Sequence, residues 1–345
     1  MEIIHREVNS NCRFGELRTV LAVDAQGPMT FDVSVIIVNY NTAHLLHEMS
    51  AALINSQGNL KLQTIVVDNA SRDHSLELLK RDFGEIELIV NRTNVGFGRA
   101  NNQGWALARG RYILLLNTDA FVAPDTLNET VRYMDAHPDV GILGTRLVGR
   151  DGALQPSCRY FPTPWNVFLA RSGLARFQPK VRMVDDMNWD HASVRECDWV
   201  PGCYYLLRRE VVAQVGLFDP RYFLYCEEVD NCRVAKRAGW KVVCFARTSV
   251  VHLGGESSKS EGALTAGGKQ ISVLQIESEL LYFRKHHGVG GALASLLLGS
   301  VADALVVAKS LVRRKGWSGV RPVLEHSRNC WRLALRTRLG ARPTR

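Results

Sequence analysis

Asp119 closes the tripeptide Asn117-Thr-Asp119, which directly follows the apolar run Arg111-Tyr-Ile-Leu-Leu-Leu116. Such a run, ended by polar residues, reads as a buried parallel strand. Its C-terminal edge is where open α/β sheets hold their ligands, so Asp119 is placed to hold a divalent cation. Well downstream, Tyr225-Cys-Glu-Glu-Val-Asp230 gathers Glu227, Glu228 and Asp230 beside Phe223. Aromatic surroundings and neighbouring like charge both raise a carboxylate pKa, as a general base requires. His252 stands between Val-Val and Leu-Gly-Gly, at the end of a strand-like run. Together these residues suit the displacement of a diphosphate, whose charge Mg²⁺ or Mn²⁺ can neutralise as the bond breaks. Each also has a plainer reading: Asp119 can cap a turn, acids at a helix start serve the dipole, and His252 can be structural.

Asn39-Tyr-Asn41 and Asp68-Asn-Ala-Ser71 both follow strand-like runs. Asn and Asp suit strand-to-helix turns in any protein, but two such turns on one sheet edge favour a base and ribose. Asn94-Val-Gly-Phe-Gly-Arg-Ala-Asn-Asn102 enters a helix through Gly96 and Gly98, so its backbone can approach a phosphate or sugar. Gly96-x-Gly98 imitates part of a dinucleotide fingerprint. Asn101 occupies the third glycine position, however, and the first strand-helix turn lacks glycine, so a dehydrogenase is disfavoured.

The elements that must position these groups follow from periodicity. Strands are expected at 33–38, 62–67, 86–90 and 112–116, with helices at 43–56, 73–82, 98–108 (capped by Gly110) and from Pro124 to His137. That alternation predicts a doubly wound α/β sheet, mostly parallel. Residues 140–200 read as an irregular, acceptor-side insertion with mobile loops. A strand is expected at 199–207, helices at 208–215 and 228–238, and two short strands at 241–246 and 249–251. From Ile271 onward the chain reads as helical.

The 345-residue chain has the 46% hydrophobic and 22% charged content of a soluble globular protein. Its net charge of +9 is local: from Arg313 onward ten basic residues face one acid, Glu325. Such a tail can meet anionic lipid or nucleic acid, or simply be a solvated helix face. The eight cysteines show no CxxC spacing, and a chain of this size needs no disulfide staples, so they read as reduced thiols of a cytosolic protein. The N-terminal region has no apolar signal core, and either Met1 or Met29 could be the start. The longest uncharged run, Val289 to Ala302, is shorter than a membrane span and stops at Asp303, so a core or interfacial helix is expected.

In order along the chain, Val33-Ser-Val-Ile-Ile-Val-Asn-Tyr-Asn41, Val66-Val-Asp-Asn-Ala-Ser71, Asn94-Val-Gly-Phe-Gly98, Leu116-Asn-Thr-Asp119, Phe218-Asp-Pro220, Tyr225-Cys-Glu-Glu-Val-Asp230 and Val251-His252 resemble inverting family-2 glycosyltransferases, particularly the rhamnosyltransferase-like branch of bacterial surface-polysaccharide synthesis. The resemblance spans about residues 31–260. It implies a GT-A fold, with residues 1–30 a flexible extension, 31–265 the transferase domain and 266–345 a helical, basic appendage at the membrane. It implies a nucleoside-diphosphate sugar donor, foremost dTDP-rhamnose, and Mg²⁺ or Mn²⁺ held by Asp119 and His252. The nucleotide pocket would draw on Asn39, Asn41, Asp68, Asn94, Gly96, Gly98, Asn101 and Asn117. Glu228 would be the base, within a catalytic group that includes Glu227 and Asp230. Glutamate there is one methylene longer than the family's usual aspartate, and Asn117 replaces the first aspartate of the DXD motif. The implied enzyme is cytoplasmic, peripheral to the inner membrane face, with a lipid-linked or polysaccharide acceptor and no nucleic-acid partner. A UDP-sugar donor (N-acetylglucosamine or galactofuranose) and a non-catalytic sugar-nucleotide binding module are the alternatives.

Overall fold

The structure is a computed structural model that describes residues 29–254 and 273–345, apart from 188, 190 and 315. The expected N-terminal extension and the boundary near residue 265 fall almost wholly outside these residues.

The chain runs β1 (Phe31–Asn39), α1 (Ala43–Gln57), β2 (Leu62–Asp68), α2 (Ser75–Asp82), β3 (Glu87–Val90), α3 (Phe97–Trp105), β4 (Gly110–Leu116), β5 (Ala120–Val122) and α4 (Thr126–Ala136). It continues through β6 (Val140–Val148), β7 (Leu154–Gln155), α5 (Pro164–Ser172), β8 (Arg195–Glu196), β9 (Tyr204–Arg208), α6 (Arg209–Val215), α7 (Glu227–Arg237) and β10 (Lys241–His252). Two long helical elements close it, α8 (Val273–Val312), which kinks at Gly288 (φ 67°, ψ −166°), and α9 (Gly316–Arg336).

The strands form one sheet in the order β3-β2-β1-β4-β9-β6-β10-β5. β3, β2, β1 and β4 are mutually parallel, as the β-helix-β alternation requires. Beyond β4 the sheet is mixed, because β9 runs antiparallel to both β4 and β6. Alternate residues serve opposite faces. Tyr112, Leu114 and Leu116 join Tyr204 and Leu206 in a core beneath α1 and α4. Ile113 and Leu115 join Tyr205 and Leu207 in a second core beneath α6, α7 and α8.

Three expectations need correction. Gly110 does not cap a helix: α3 stops at Trp105, and Gly110 opens β4. A Cβ there would lie 2.4 Å from the Ser34 backbone nitrogen, so glycine permits the close β1–β4 approach. Residues 140–200 are not uniformly irregular, since β6 is a central strand. Its Gly141 and Gly144 break the apolar pattern because Trp240 and Val200 fill the space their side chains would take. Finally, the two short strands near 241 and 249 are one strand, β10, whose register shifts between Phe245 and Ser249.

Asp303 does not end the apolar face of α8. It turns inward, 5% exposed, and accepts from Arg171 Nε at 2.7 Å. By length and composition this helix could cross a membrane, with a mean hydropathy of 1.9 over its most apolar 18 residues.

Candidate functional site

The β1 and β2 turns form one hydrogen-bonded unit. Asn39 Nδ2 donates to Asp68 Oδ1 at 2.8 Å and to Ser71 Oγ at 2.9 Å. The Ser71 amide donates to Asp68 Oδ2 at 3.1 Å. Asn41, in the left-handed region at φ 54°, donates its amide to Ser71 Oγ and accepts from the Arg72 amide. Asp68 is 1% exposed, so its carboxylate joins the turns from beneath their surface.

Asn94 braces the next turn: its Oδ1 accepts from the Gly96 amide at 2.9 Å and from Asn69 Nδ2 at 2.8 Å. Gly96 has φ 90°, and a Cβ there would lie 2.5 Å from the Phe223 carbonyl. That close approach lets the Phe97 amide donate to Phe223 O at 2.8 Å, tying this turn to the acidic segment. A Cβ on Gly98 would meet Glu227 Cβ at 3.7 Å. Asn101 is buried and donates to Phe97 O within its own helix at 3.0 Å.

Asn117 and Asp119 cross the top of the sheet. The Asn117 amide donates to Cys203 O at 3.1 Å, and Asp119 O accepts from the Leu253 amide at 3.0 Å. The turn therefore bridges the start of β9 and the end of β10. Asp119 Oδ1 lies 3.7 Å from His252 Nε2, both largely buried. Among the described residues no three His, Cys, Asp or Glu side chains form a metal cluster. Two protein ligands still fit Mg²⁺ or Mn²⁺, which keeps water and phosphate oxygens in its remaining positions.

The acids sit at the N-terminus of α7. Tyr225 (φ 72°) and Cys226 (φ 68°) are consecutive left-handed residues, a conformation costing about 1–3 kcal/mol each. Ser278 Oγ on α8 donates to Leu224 O at 2.8 Å, and the Arg345 guanidinium, beyond α9, lies over the Phe223 ring at 5.0 Å, so α8 and the residues after α9 brace this turn. Burial, reinforced by the charge of Glu228, pushes the Glu227 carboxyl well up, and its Oε2 has no hydrogen-bond partner among the described residues. Burial also raises Glu228, while its backbone hydrogen bond and the Arg159 guanidinium oppose the rise. Arg159 is held by Asp185 (Nε to Oδ1, 2.7 Å) and stacks over Trp199 at 4.0 Å.

Asp119 and the acids converge on the start of β9. The Cys203 thiol is pushed up by burial first, and then by the charges of both Asp119 and Glu228. A Cβ on the adjacent Gly202 would lie 4.0 Å from Glu228 Cβ. Asp230 is directed elsewhere. It accepts from Lys285 Nζ at 2.6 Å, His286 Nε2 at 2.5 Å and the Tyr222 hydroxyl at 3.2 Å. Two residues apart on a helix do not share a face, so Asp230 binds α7 to α8 while Glu228 meets Gly202.

Two residues not singled out from sequence also belong here: Arg159, whose charge acts on Glu228, and Gln155. Gln155 contacts His252 through both ends of its amide. Isolated polar residues in the 140–200 stretch carry no local signal of such roles.

Residues 34–189 match the family described as Glycosyl transferase family 2. An N-acetylglucosaminyl-diphospho-decaprenol L-rhamnosyltransferase of Mycobacterium tuberculosis is 26% identical over 241 residues, 65% of this chain and 76% of that protein. A poly(ribitol-phosphate) β-N-acetylglucosaminyltransferase, TarS of Staphylococcus aureus, is 25% identical over 143 residues, 40% of this chain and 25% of its own. Among solved structures, the mannosyltransferase PcManGT of Pyrobaculum calidifontis, in complex with GDP-Man and Mn²⁺, superposes with a TM-score of 0.52 at 17% identity, covering 92% of this chain and 90% of that one. At that identity the likeness shows the fold alone, and the fold is GT-A.

Proposed function

We propose that this chain, a member of glycosyltransferase family 2, transfers a hexose with inversion from a nucleoside-diphosphate donor to an acceptor hydroxyl in cell-surface glycan synthesis. L-Rhamnose from dTDP-rhamnose is the first donor to test, because the mycobacterial relative is a rhamnosyltransferase. The observation that carries the reading is that the 117–119 turn and α7 flank the same strand start: the Asn117 amide donates to Cys203 O at 3.1 Å, and a Cβ on the adjacent Gly202 would lie 4.0 Å from Glu228 Cβ. The braced Asn39–Asp68 turns supply the floor for a base and ribose, with Asn41, Asn94 and Asn117 at its rim.

A divalent cation, when bound, supplies positive charge for the departing diphosphate. Asp119 and His252 would hold it. Glu228 takes the proton of the acceptor hydroxyl. That oxygen forms its bond to the anomeric carbon on the face opposite the diphosphate, the carbon–phosphate oxygen bond breaks, and the nucleoside diphosphate leaves. Burial and the charge of Glu228 push the Glu227 carboxyl up, which disfavours a second negative charge beside the base.

The acceptor is proposed to be lipid-linked, presented at the cytoplasmic membrane face. The support is an apolar stripe on α8, where Val289, Leu293, Leu297 and Val301 are 44–52% exposed, beside the strongly basic α9. A panel of dTDP-, UDP- and GDP-sugars, with mass detection of the released nucleotide, tests the function. Acceptor-dependent release from dTDP-rhamnose is expected. Release from UDP-N-acetylglucosamine instead would transfer the reading to a UDP-sugar enzyme, and turnover of no donor would end it.

A further inference from the structure

β7 is two residues long and pairs antiparallel with the end of β6, with Gln155 opposite Leu147. Its side chain reaches His252 on β10. Gln155 Nε2 donates to the His252 backbone carbonyl at 2.8 Å, and Gln155 Oε1 lies 2.9 Å from His252 Nδ1. These contacts determine where the imidazole proton sits. A carbonyl oxygen only accepts, so the amide nitrogen must face it. The amide oxygen then faces the ring, and it too only accepts, so Nδ1 carries the proton. Reversing the amide would set two oxygens against each other. In the neutral ring, Nε2 is left with its lone pair free, and Asp119 Oδ1 lies 3.7 Å from it. That separation is too long for a hydrogen bond. It leaves two Lewis bases facing one space.

We propose that Gln155 is a positioning residue for the cation: it fixes the Nδ1-H tautomer and ring plane of His252, so that Nε2 and Asp119 form a ready ligand pair. This rests on the reading of Asp119 and His252 as metal ligands. A histidine ligand whose other nitrogen donates to an acceptor is the usual arrangement at metal centres, and losing that acceptor typically weakens metal binding about 10–100-fold. Gln155 lies in the segment between β6 and α5 and touches neither α7 nor the nucleotide turns in any contact described above. Its effect is therefore separable from proton transfer by Glu228.

The test begins with unmutated, metal-free protein. Long-range ¹⁵N–¹H NMR of ¹⁵N-histidine-labelled full-length chain is expected to show neutral His252 protonated on Nδ1; protonation on Nε2 overturns the proposal. Gln155→Leu is expected to lose that tautomer and to bind Mn²⁺, followed by electron paramagnetic resonance in the presence of dTDP, about 10–100-fold more weakly. Unchanged Mn²⁺ affinity in Gln155→Leu, with weakened affinity in His252→Ala, overturns the role of Gln155 alone. Unchanged affinity in His252→Ala overturns the metal assignment and this inference with it.

Discussion

Replacing Glu228 by glutamine separates catalysis from stability in a way that this site makes quantitative. The side chain keeps its shape and loses its proton affinity. A positioned general base contributes about 10²–10⁴-fold, so kcat should fall by that factor, or about 2.7–5.4 kcal/mol of barrier at 1.36 kcal/mol per tenfold. Stability should move the other way. Burial raises Glu228 in the folded state, so the folded chain holds this proton more tightly than the unfolded chain. The unfolded state then binds fewer protons, and stability falls as pH rises from about 4.3, the free glutamate value, through the folded pKa. Above that window the charged form is the one penalised. Glutamine carries no such penalty, and it also removes the like charge that raises Glu227. Glu228→Gln should therefore melt no lower than the parent at pH 7–8, and the difference between them should shrink toward pH 4. Calorimetric melts across that range, beside initial rates with donor and acceptor, measure both effects. A variant with parental turnover refutes the base assignment. One that has lost turnover but melts several degrees lower at pH 7 refutes the argument from burial, because the loss would then be structural.

Arg159→Met removes a charge that holds Glu228 down, so the acid limb of the kcat/KM profile should move to higher pH; an unmoved limb means that Arg159 does not act on the base. Lys285 donates to both Asp219 and Asp230. Burial would raise Asp219, but hydrogen bonds from Arg221 and Lys285 outweigh it and hold this carboxyl below its usual range. Its stabilising contribution is thus present above the unfolded aspartate pKa near 3.9 and is lost as pH falls below it. Lys285→Met leaves two poorly exposed carboxylates short of a partner and should cost about 2–4 kcal/mol at pH 7, roughly 5–10 °C in Tm; a change under 1 °C in a calorimetric melt would contradict this. The triple change Leu293→Glu, Leu297→Glu, Val301→Glu places acids on the α8 stripe and should abolish co-sedimentation with anionic vesicles while leaving the Tm within about 2 °C of the parent, since the replaced residues are half exposed. Persistent sedimentation would mean that this face does not meet the membrane.

Much of the fold was readable because its first half is built from apolar runs ending in Asn or Asp, such as Val35–Asn39 and Ile65–Asp68. Buried parallel strands need no polar alternation, and those runs show none. β6 escaped because its glycines answer to Val200 and Trp240, residues distant in sequence. α5 lay hidden in a Pro- and Arg-rich stretch, although Thr163, Pro164 and Asn166 form a capping box that can be recognised in hindsight. At the site, residue types foreshadowed the Asp119–His252 pair and the Glu227–Glu228 pair, whereas Asp230 was grouped with them by closeness in sequence alone. Helical phase sends it to Lys285 and His286 instead. Gln155 and Arg159 gain their places from strand register and a stacked tryptophan, and neither is encoded in local spacing.

Anomalous diffraction from a crystal soaked with Mn²⁺ and dTDP bears most directly on the central claim, that one cleft joins a cation-holding carboxylate to a proton acceptor on α7. The account predicts a single manganese peak between Asp119 and His252, with the diphosphate against it and the Glu228 carboxylate facing the same cleft. A peak elsewhere, or a nucleotide bound away from the Asn39 and Asp68 turns, would contradict it.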